Sequence, residues 1–257
     1  MFGALLRFYR ERAGLSQEAL GTKIGFSKSQ VAMVERGARP PKGDFVPRSD
    51  DALGAQGALL AAAAKLRTNA LPPWFAGFAE EESRAMARHA YETHVMPGLL
   101  QTEAYARAVL TGQYPTFDDD EVEAKVAARL ARQALLSRRP VPDISFVLEM
   151  VPLARPIGGP GVRKEQLRHL VDVARLRHVK IQLMPPNRES HPALDGPFVL
   201  LEDADRRPLA YIEGQGGSFF VTEQPGVSDL FGKYGLLRAQ AYSPEESLGL
   251  IERMAQE

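Results

Sequence analysis

The side chains best suited to chemistry in this sequence lie between Ser16 and Lys42, and their chemistry is hydrogen-bonding and ionic. Lys28 carries an ammonium that can donate to O6 and N7 of a guanine. Ser29 can bond to several bases, and Met33 can touch a thymine methyl. Ala32 falls on the same surface. Gln30 has two readings: it closes a cap with Ser27, or it rotates outward and reads a base. Gln17 and Ser27 sit at helix starts, where a polar side chain beside free backbone N–H groups suits a phosphate oxygen. Arg36, Arg39 and Lys42 follow, and they would add screened, sequence-blind attraction to phosphates.

Short helices must position these groups. Leu5, Leu6, Tyr9 and Ala13 recur at helical spacing, and Gly14 ends that helix. Ser16 can cap a second helix whose inner face is Leu20 and Ile24, closed by Gly25. Ser27 opens a third with Val31 and Val34 inward and Gly37 as its stop, and Ser27-Lys28-Ser29-Gln30 has the form of a capping box. Two such helices at a sharp turn let the second lie in a DNA major groove. Arg39-Pro40-Pro41-Lys42-Gly43 reads as a turn, and Leu53 to Leu66 as further helix.

Other chemistries find little to work with. The 257 residues contain no cysteine, which excludes disulfides, thiolate metal sites and cysteine nucleophiles. The five histidines, His89, His94, His169, His178 and His191, form no H-E-x-x-H pair. Ser190, His191 and Asp195 share a loop, but no G-x-S-x-G elbow accompanies them. Gly158–Val162 lacks the strand-to-helix context or the lysine of a phosphate loop. Asp118, Asp119 and Asp120 read as a helix start, a metal site being the sharper alternative. No enzyme, cofactor or metal is expected.

Charge is unevenly spread. The chain holds 32 basic and 32 acidic side chains. Residues 1–48 hold nine basic against four acidic ones, so the remainder carries the balancing acid. That pattern suggests a small anion-binding module joined to something that is not one. The longest apolar stretch, about Ala58–Ala64, falls well short of the roughly 20 residues of a membrane span. The first residues, interrupted by Arg7, Arg10, Glu11 and Arg12, lack a signal-peptide core, and a cytoplasmic, nucleoid-associated protein is expected.

Beyond residue 67 the sequence changes character. Residues 68–82 read as a junction, with Asn69, Pro72 and Pro73 as breakers and Trp74, Phe75 and Phe78 as apolar anchors. Helices are predicted near 83–95, 102–111, 119–137, 163–176, 227–240 and 244–256. Strands are predicted at Ile144–Met150, Val179–Met184, Phe198–Glu202, Leu209–Glu213 and Ser218–Thr222. Phe219 and Phe220 would point to opposite sides of one strand, leaving one available to a partner. Arg129, Arg132, Arg138 and Arg139 read as a solvated or interface face rather than a second DNA site.

Two resemblances follow. Gly14-Leu15-Ser16-Gln17-Glu18-Ala19-Leu20, then Ile24-Gly25-Phe26-Ser27, then Val31, Val34, Glu35, Arg36, Gly37 and Pro40, resemble the Xre/Cro-type helix-turn-helix over residues 5–66. The resemblance implies a five-helix DNA-binding domain in which Arg10 and Glu35 form an internal salt bridge. Residues 72–257 resemble the C-terminal domain of the actinobacterial WhiJ-like regulators. That likeness is carried by Trp74-Phe75, Pro97-Gly98-Leu99-Leu100-Gln101-Thr102-Glu103-Ala104-Tyr105, Arg129-Leu130-Ala131-Arg132-Gln133, Glu149, Gly158-Gly159-Pro160, Glu165-Gln166-Leu167, Gln182-Leu183-Met184-Pro185, Gly196-Pro197-Phe198, Glu213 and Glu246-Ser247-Leu248. It implies a regulator of double-stranded DNA, often with a small BldB-like partner protein, and no established enzymatic activity.

The expected protein is mainly α plus α+β. A helix-turn-helix domain (1–67) and a junction (68–82) precede a C-terminal domain of helices and a small β-sheet (83–257). It would act as a homodimeric transcription regulator, a repressor in the first reading, whose C-terminal domain receives a signal from a small partner protein. A small-molecule signal, a protein-interaction (antitoxin-like) module and a purely structural C-terminal domain are the alternatives.

Overall fold

A computed structural model describes residues 2–37, 41, 43–67, 73–215 and 217–256. The expected Arg39–Gly43 turn and the junction breakers Asn69 and Pro72 therefore fall largely outside the described residues, as does the side chain of Trp74. The chain divides into two compact units, Met1–Ala70 and Leu71–Glu257.

The first unit is all helix: α1 (Phe2–Arg12), α2 (Gln17–Ile24), α3 (Lys28–Glu35), α4 (Phe45–Leu53) and α5 (Ala58–Arg67). Its core is Phe2, Leu6, Leu20, Ile24, Val31, Val34, Phe45, Val46, Ala55 and Leu59. The apolar periodicity of the first three helices thus points where the sequence predicts, except that Ala13 lies beyond the end of α1 and is exposed. The further helix expected over Leu53–Leu66 is α5, which starts only at Ala58; α4, not read from the sequence, ends at Leu53, and a turn at Gly54–Gly57 parts the two. Buried Asp50 makes that turn, because its carboxylate accepts from Gly57 N–H at 2.7 Å and Leu59 N–H at 2.9 Å. Those bonds satisfy donors that a helix start would otherwise leave open.

The second unit begins with α6 (Pro73–Arg84), so most of the predicted junction is helix, and Phe78 and Glu82 on it are buried. Then come β1 (Ala87–Glu92), a 3₁₀ turn (Gly98–Leu100), α7 (Glu103–Thr111), α8 (Asp119–Arg132) and a second 3₁₀ turn (Gln133–Ser137). β2 (Asp143–Leu148), α9 (Val151–Ala154), α10 (Pro160–Ala174) and β3 (Val179–Leu183) follow. The chain finishes with β4 (Phe198–Glu202), β5 (Pro208–Gly214), β6 (Gly217–Val221), α11 (Gly226–Gln240) and α12 (Pro244–Gln256).

The six strands form one mixed sheet in the order β3-β2-β1-β4-β5-β6. β1, β2 and β3 are parallel and joined by helical crossovers, and β4, β5 and β6 add as an antiparallel meander. Residues of alternate parity supply the two faces. One face buries Ala90, Ile144, Phe146, Leu148, Ile181, Leu201 and Tyr211 with residues of α6, α7, α10 and α12. The other buries Tyr91, Val147, Phe198, Leu200 and Ala210 with Val227, Tyr234 and Leu237 of α11.

β1 corrects the helix predicted over 83–95. Ala87-Arg88-His89-Ala90-Tyr91-Glu92 has no β-branched residue, and its alternation is masked by a charge on a buried face. Arg88 is only 2% exposed because Glu82 on α6 accepts its Nε–H at 2.8 Å. Glu82 also takes two bonds from Arg132 of α8, at 2.7 and 3.0 Å. Position in mid-sheet, between β2 and β4, overrides the local preference.

Candidate nucleic-acid interface

Ser16, in extended conformation, accepts the Ala19 N–H and starts α2. Gly25 ends it at φ +78°, a left-handed geometry that costs a glycine nothing. The chain then doubles back so tightly that a Cβ on Gly21 would lie 2.6 Å from the Phe26 carbonyl oxygen. Arg48 of α4 donates to the Ile24 carbonyl at 3.2 Å, and Lys23 to that of Ala52 at 2.9 Å, tying the C-terminal end of α2 to α4. Neither bond has a signature in the local sequence pattern.

The ambiguity at Gln30 resolves toward the cap. Ser27 Oγ accepts the Gln30 N–H at 3.2 Å, and Gln30 Oε1 accepts from Ser27 N–H at 2.9 Å and from its hydroxyl at 3.2 Å. Both lone pairs of that amide oxygen are engaged, so only the amide nitrogen end of Gln30 is left for a ligand. Ser27 likewise spends its hydroxyl on the cap.

At 100° per residue, Lys28, Ser29, Ala32, Met33 and Arg36 share the side of α3 opposite buried Val31 and Val34. Lys28, Ser29 and Arg36 are exposed, and Ala32 and Met33 half-buried. Lys28 Nζ lies 3.7 Å from Glu18 of α2, an exposed pair too weak to hold the ammonium against a better anion. Arg39 and Lys42 lie outside the described residues.

Beneath this surface one ion pair joins the helices. Arg10 Nε and Nη2 reach Glu35 Oε1 and Oε2 at 2.5 and 3.0 Å, a bidentate geometry, and Nη1 holds the Leu15 carbonyl at 2.8 Å. The side chains are only 10% and 3% exposed. The hydrogen bond to Glu35 raises the Arg10 pKa above its ordinary value. Gln17, expected on a phosphate, turns inward instead: its Nε2 donates to Glu35 at 2.8 Å. One carboxylate at the end of α3 therefore fixes α1 and α2 together.

In the second unit the resemblance residues are mostly internal ties. Gln101 donates to the Met96 carbonyl and accepts from Arg129 at 2.9 Å. Gln133 holds the Gln101 carbonyl, and Gln166 bridges Thr102 N–H and the Leu100 carbonyl. Arg129 and Arg132 thus turn inward onto Gln101 and Glu82, correcting the solvated or interface face read from the sequence. Asp118 caps α8 in a capping box with Glu121. The loop residues Ser190, His191 and Asp195 are not brought together. His191 Nε2 lies 3.3 Å from the Tyr91 hydroxyl and 3.5 Å from Glu149, whereas Asp195 pairs with Lys233 at 3.2 Å. Among the described residues no group of three metal-ligating side chains occurs, and no helix is long and apolar enough to cross a membrane.

A capped helix, a glycine turn and a second capped helix with a polar, basic outer face define a helix-turn-helix domain. Residues 1–63 match the family described as "Helix-turn-helix domain". Residues 75–253 match the family described as "Domain of unknown function (DUF5753)", and the chain belongs to that family. No curated protein and no solved structure matched the chain.

Proposed function

We propose that this chain is a sequence-specific transcription regulator of the Xre type that binds DNA as a symmetric dimer and acts as a repressor. The observation carrying the proposal is the outer face of α3: Lys28, Ser29, Ala32, Met33 and Arg36 stand together on a helix fixed by caps at its start and an ion pair at its end. Lys28, Ser29 and Met33 would reach base edges, with the Gln30 amide nitrogen beside them, while Arg36, Arg39 and Lys42 attract phosphates. Since Gln17 and Ser27 use their side chains internally, phosphate contacts at the two helix starts fall to backbone N–H groups. A single module offers few base contacts, so useful affinity calls for two half-sites about one helical turn apart.

The second unit would join the two copies and receive the signal, as its likeness to WhiJ-like regulators implies. A small BldB-like protein is favoured over a small molecule because Leu194 and Leu236 stand 71% and 55% exposed, surface that a protein would cover. The test is selection of genomic DNA by the full-length chain, with and without the small protein encoded nearest to it. A palindromic site whose occupancy changes with that protein supports the whole reading. A site indifferent to it moves the signal to a small molecule, and no enriched site at all removes the DNA-binding function.

A further inference from the structure

The two edges of the sheet are treated differently. On the β3 edge, the outward N–H of Leu183 donates to Ser247 Oγ at 2.9 Å, and its carbonyl accepts from Tyr242 N–H at 2.9 Å. Gln182 adds bonds to the carbonyls of Tyr242 and Arg238 at 2.9 and 3.3 Å. An exposed lysine, Lys180, lies on the same strand. That edge is covered and charged, the usual protection against pairing with another chain.

The β6 edge differs. Among the described residues it pairs only with β5 and ends the strand order. The stretch from Gly214 to Thr222 contains no charged residue and no proline. Phe219 and Phe220, on opposite faces of the strand, are 58% and 40% exposed. Phe220 leans on Tyr211 with ring centroids 5.5 Å apart, so its face is anchored, whereas Phe219 stands on the α11 side of the sheet.

We propose that β6 is the dimer interface, pairing antiparallel with β6 of a second copy across a two-fold axis near Phe219. This deepens the dimer of the preceding reading and rests on it. A strand meeting its own copy is self-complementary, as a two-fold interface must be. The register centred on Phe219 places Phe219 against Phe219 of the second copy, Ser218 against Phe220, and Gly217 against Val221. It brings no like charges together, because the segment has none, and it leaves Glu223 opposite Gln215. The sheet would then run unbroken through both copies. A stable dimer buries on the order of 800 Å² per partner. The two half-exposed rings supply on the order of 200 Å² of it.

The test uses the full chain without DNA. Sedimentation of the natural protein, Phe219→Lys and Phe219→Tyr reads the dimer directly. Facing lysines should weaken dimerisation by about 100-fold or more, while tyrosine preserves it. The cysteine-free chain allows a second measurement that does not depend on how the lysine variant folds. Directly opposed residues of an antiparallel pair have Cα atoms about 4.5–5.5 Å apart, inside the disulfide range. Mild oxidation should therefore link Phe219→Cys into a covalent, reducible dimer and leave Leu194→Cys without a covalent link. Unchanged dimerisation of a folded Phe219→Lys variant, absence of the Phe219→Cys link, or a monomeric natural protein at about 100 µM would each overturn the proposal. None of these arms contains DNA, so failure of the DNA-binding reading would appear only in the genomic selection.

Discussion

Replacing Glu35 by glutamine should loosen the whole helix-turn-helix unit. The carboxylate takes three hydrogen bonds, two from Arg10 and one from Gln17, and is only 3% exposed. Glutamine preserves the shape and removes the charge, so the buried Arg10 guanidinium keeps only the exposed Glu11 carboxylate, 3.5 Å from Nη2, as an anion. Breaking a buried pair at one partner costs about 3–5 kcal/mol, which corresponds to roughly 10²–10⁴-fold in the opening equilibrium. The same change should follow from Arg10→Met. The double variant should be less damaged than the sum of the two, with a coupling of about 1–3 kcal/mol. Hydrogen exchange on the intact chain is the assay, because it reads amides of Leu20, Val31 and Val34 separately from those of the second unit. Protection in α2 and α3 should fall together, while that of β1 and β2 is unchanged. Additive effects of the two single changes, or unaltered protection in Glu35→Gln, would refute the assignment of this pair as the internal brace.

Gly21→Ala should destabilise the first unit by about 1–3 kcal/mol, since the new methyl meets backbone at the Phe26 carbonyl rather than a side chain that can swing away; loss of exchange protection in α2 checks it. Lys28→Ala and Met33→Ala should alter which sequence is bound, by about 1–3 kcal/mol at the affected base pair. Arg36→Ala should weaken every sequence alike and flatten the salt dependence by about one unit of slope, and titrations at several salt concentrations separate the two behaviours. In the second unit, burial pushes the Glu92 carboxyl up to about 7, with the negative charge of Glu213 adding to the rise against the help of Arg88 and Arg132. An acid whose folded pKa is raised costs no stability below its unfolded pKa near 4.3, and its cost grows until the pH passes the folded value. Glu92→Gln should therefore raise the denaturation midpoint of the second unit above pH 7 and leave it nearly unchanged near pH 4.

The legible parts of the structure are those that local chemistry dictates. Ser16, Ser27 and Asp118 were readable as caps because a cap is made within four residues of chain. The strand at Phe198–Glu202 was readable to the residue because its apolar run is bounded by Pro197 and Asp203. The turn at Gly54–Gly57 was not, because the group that makes it, Asp50, draws its meaning from N–H groups seven and nine residues away. Nor was β1, whose alternation is visible only once Glu82 is known to neutralise Arg88.

By itself, then, the sequence determined the composition of the α3 face, the caps that start α2 and α3, and the uneven charge. These depend on side-chain identity and spacing along one helix. Only the tertiary structure decided that Gln17 faces Glu35 rather than solvent, that Arg129 and Arg132 are internal, and that β3 is a covered edge while β6 ends the strand order at the other side. Each depends on groups from 18 to 64 residues apart in the chain, and chain folding, not local preference, brings such groups together.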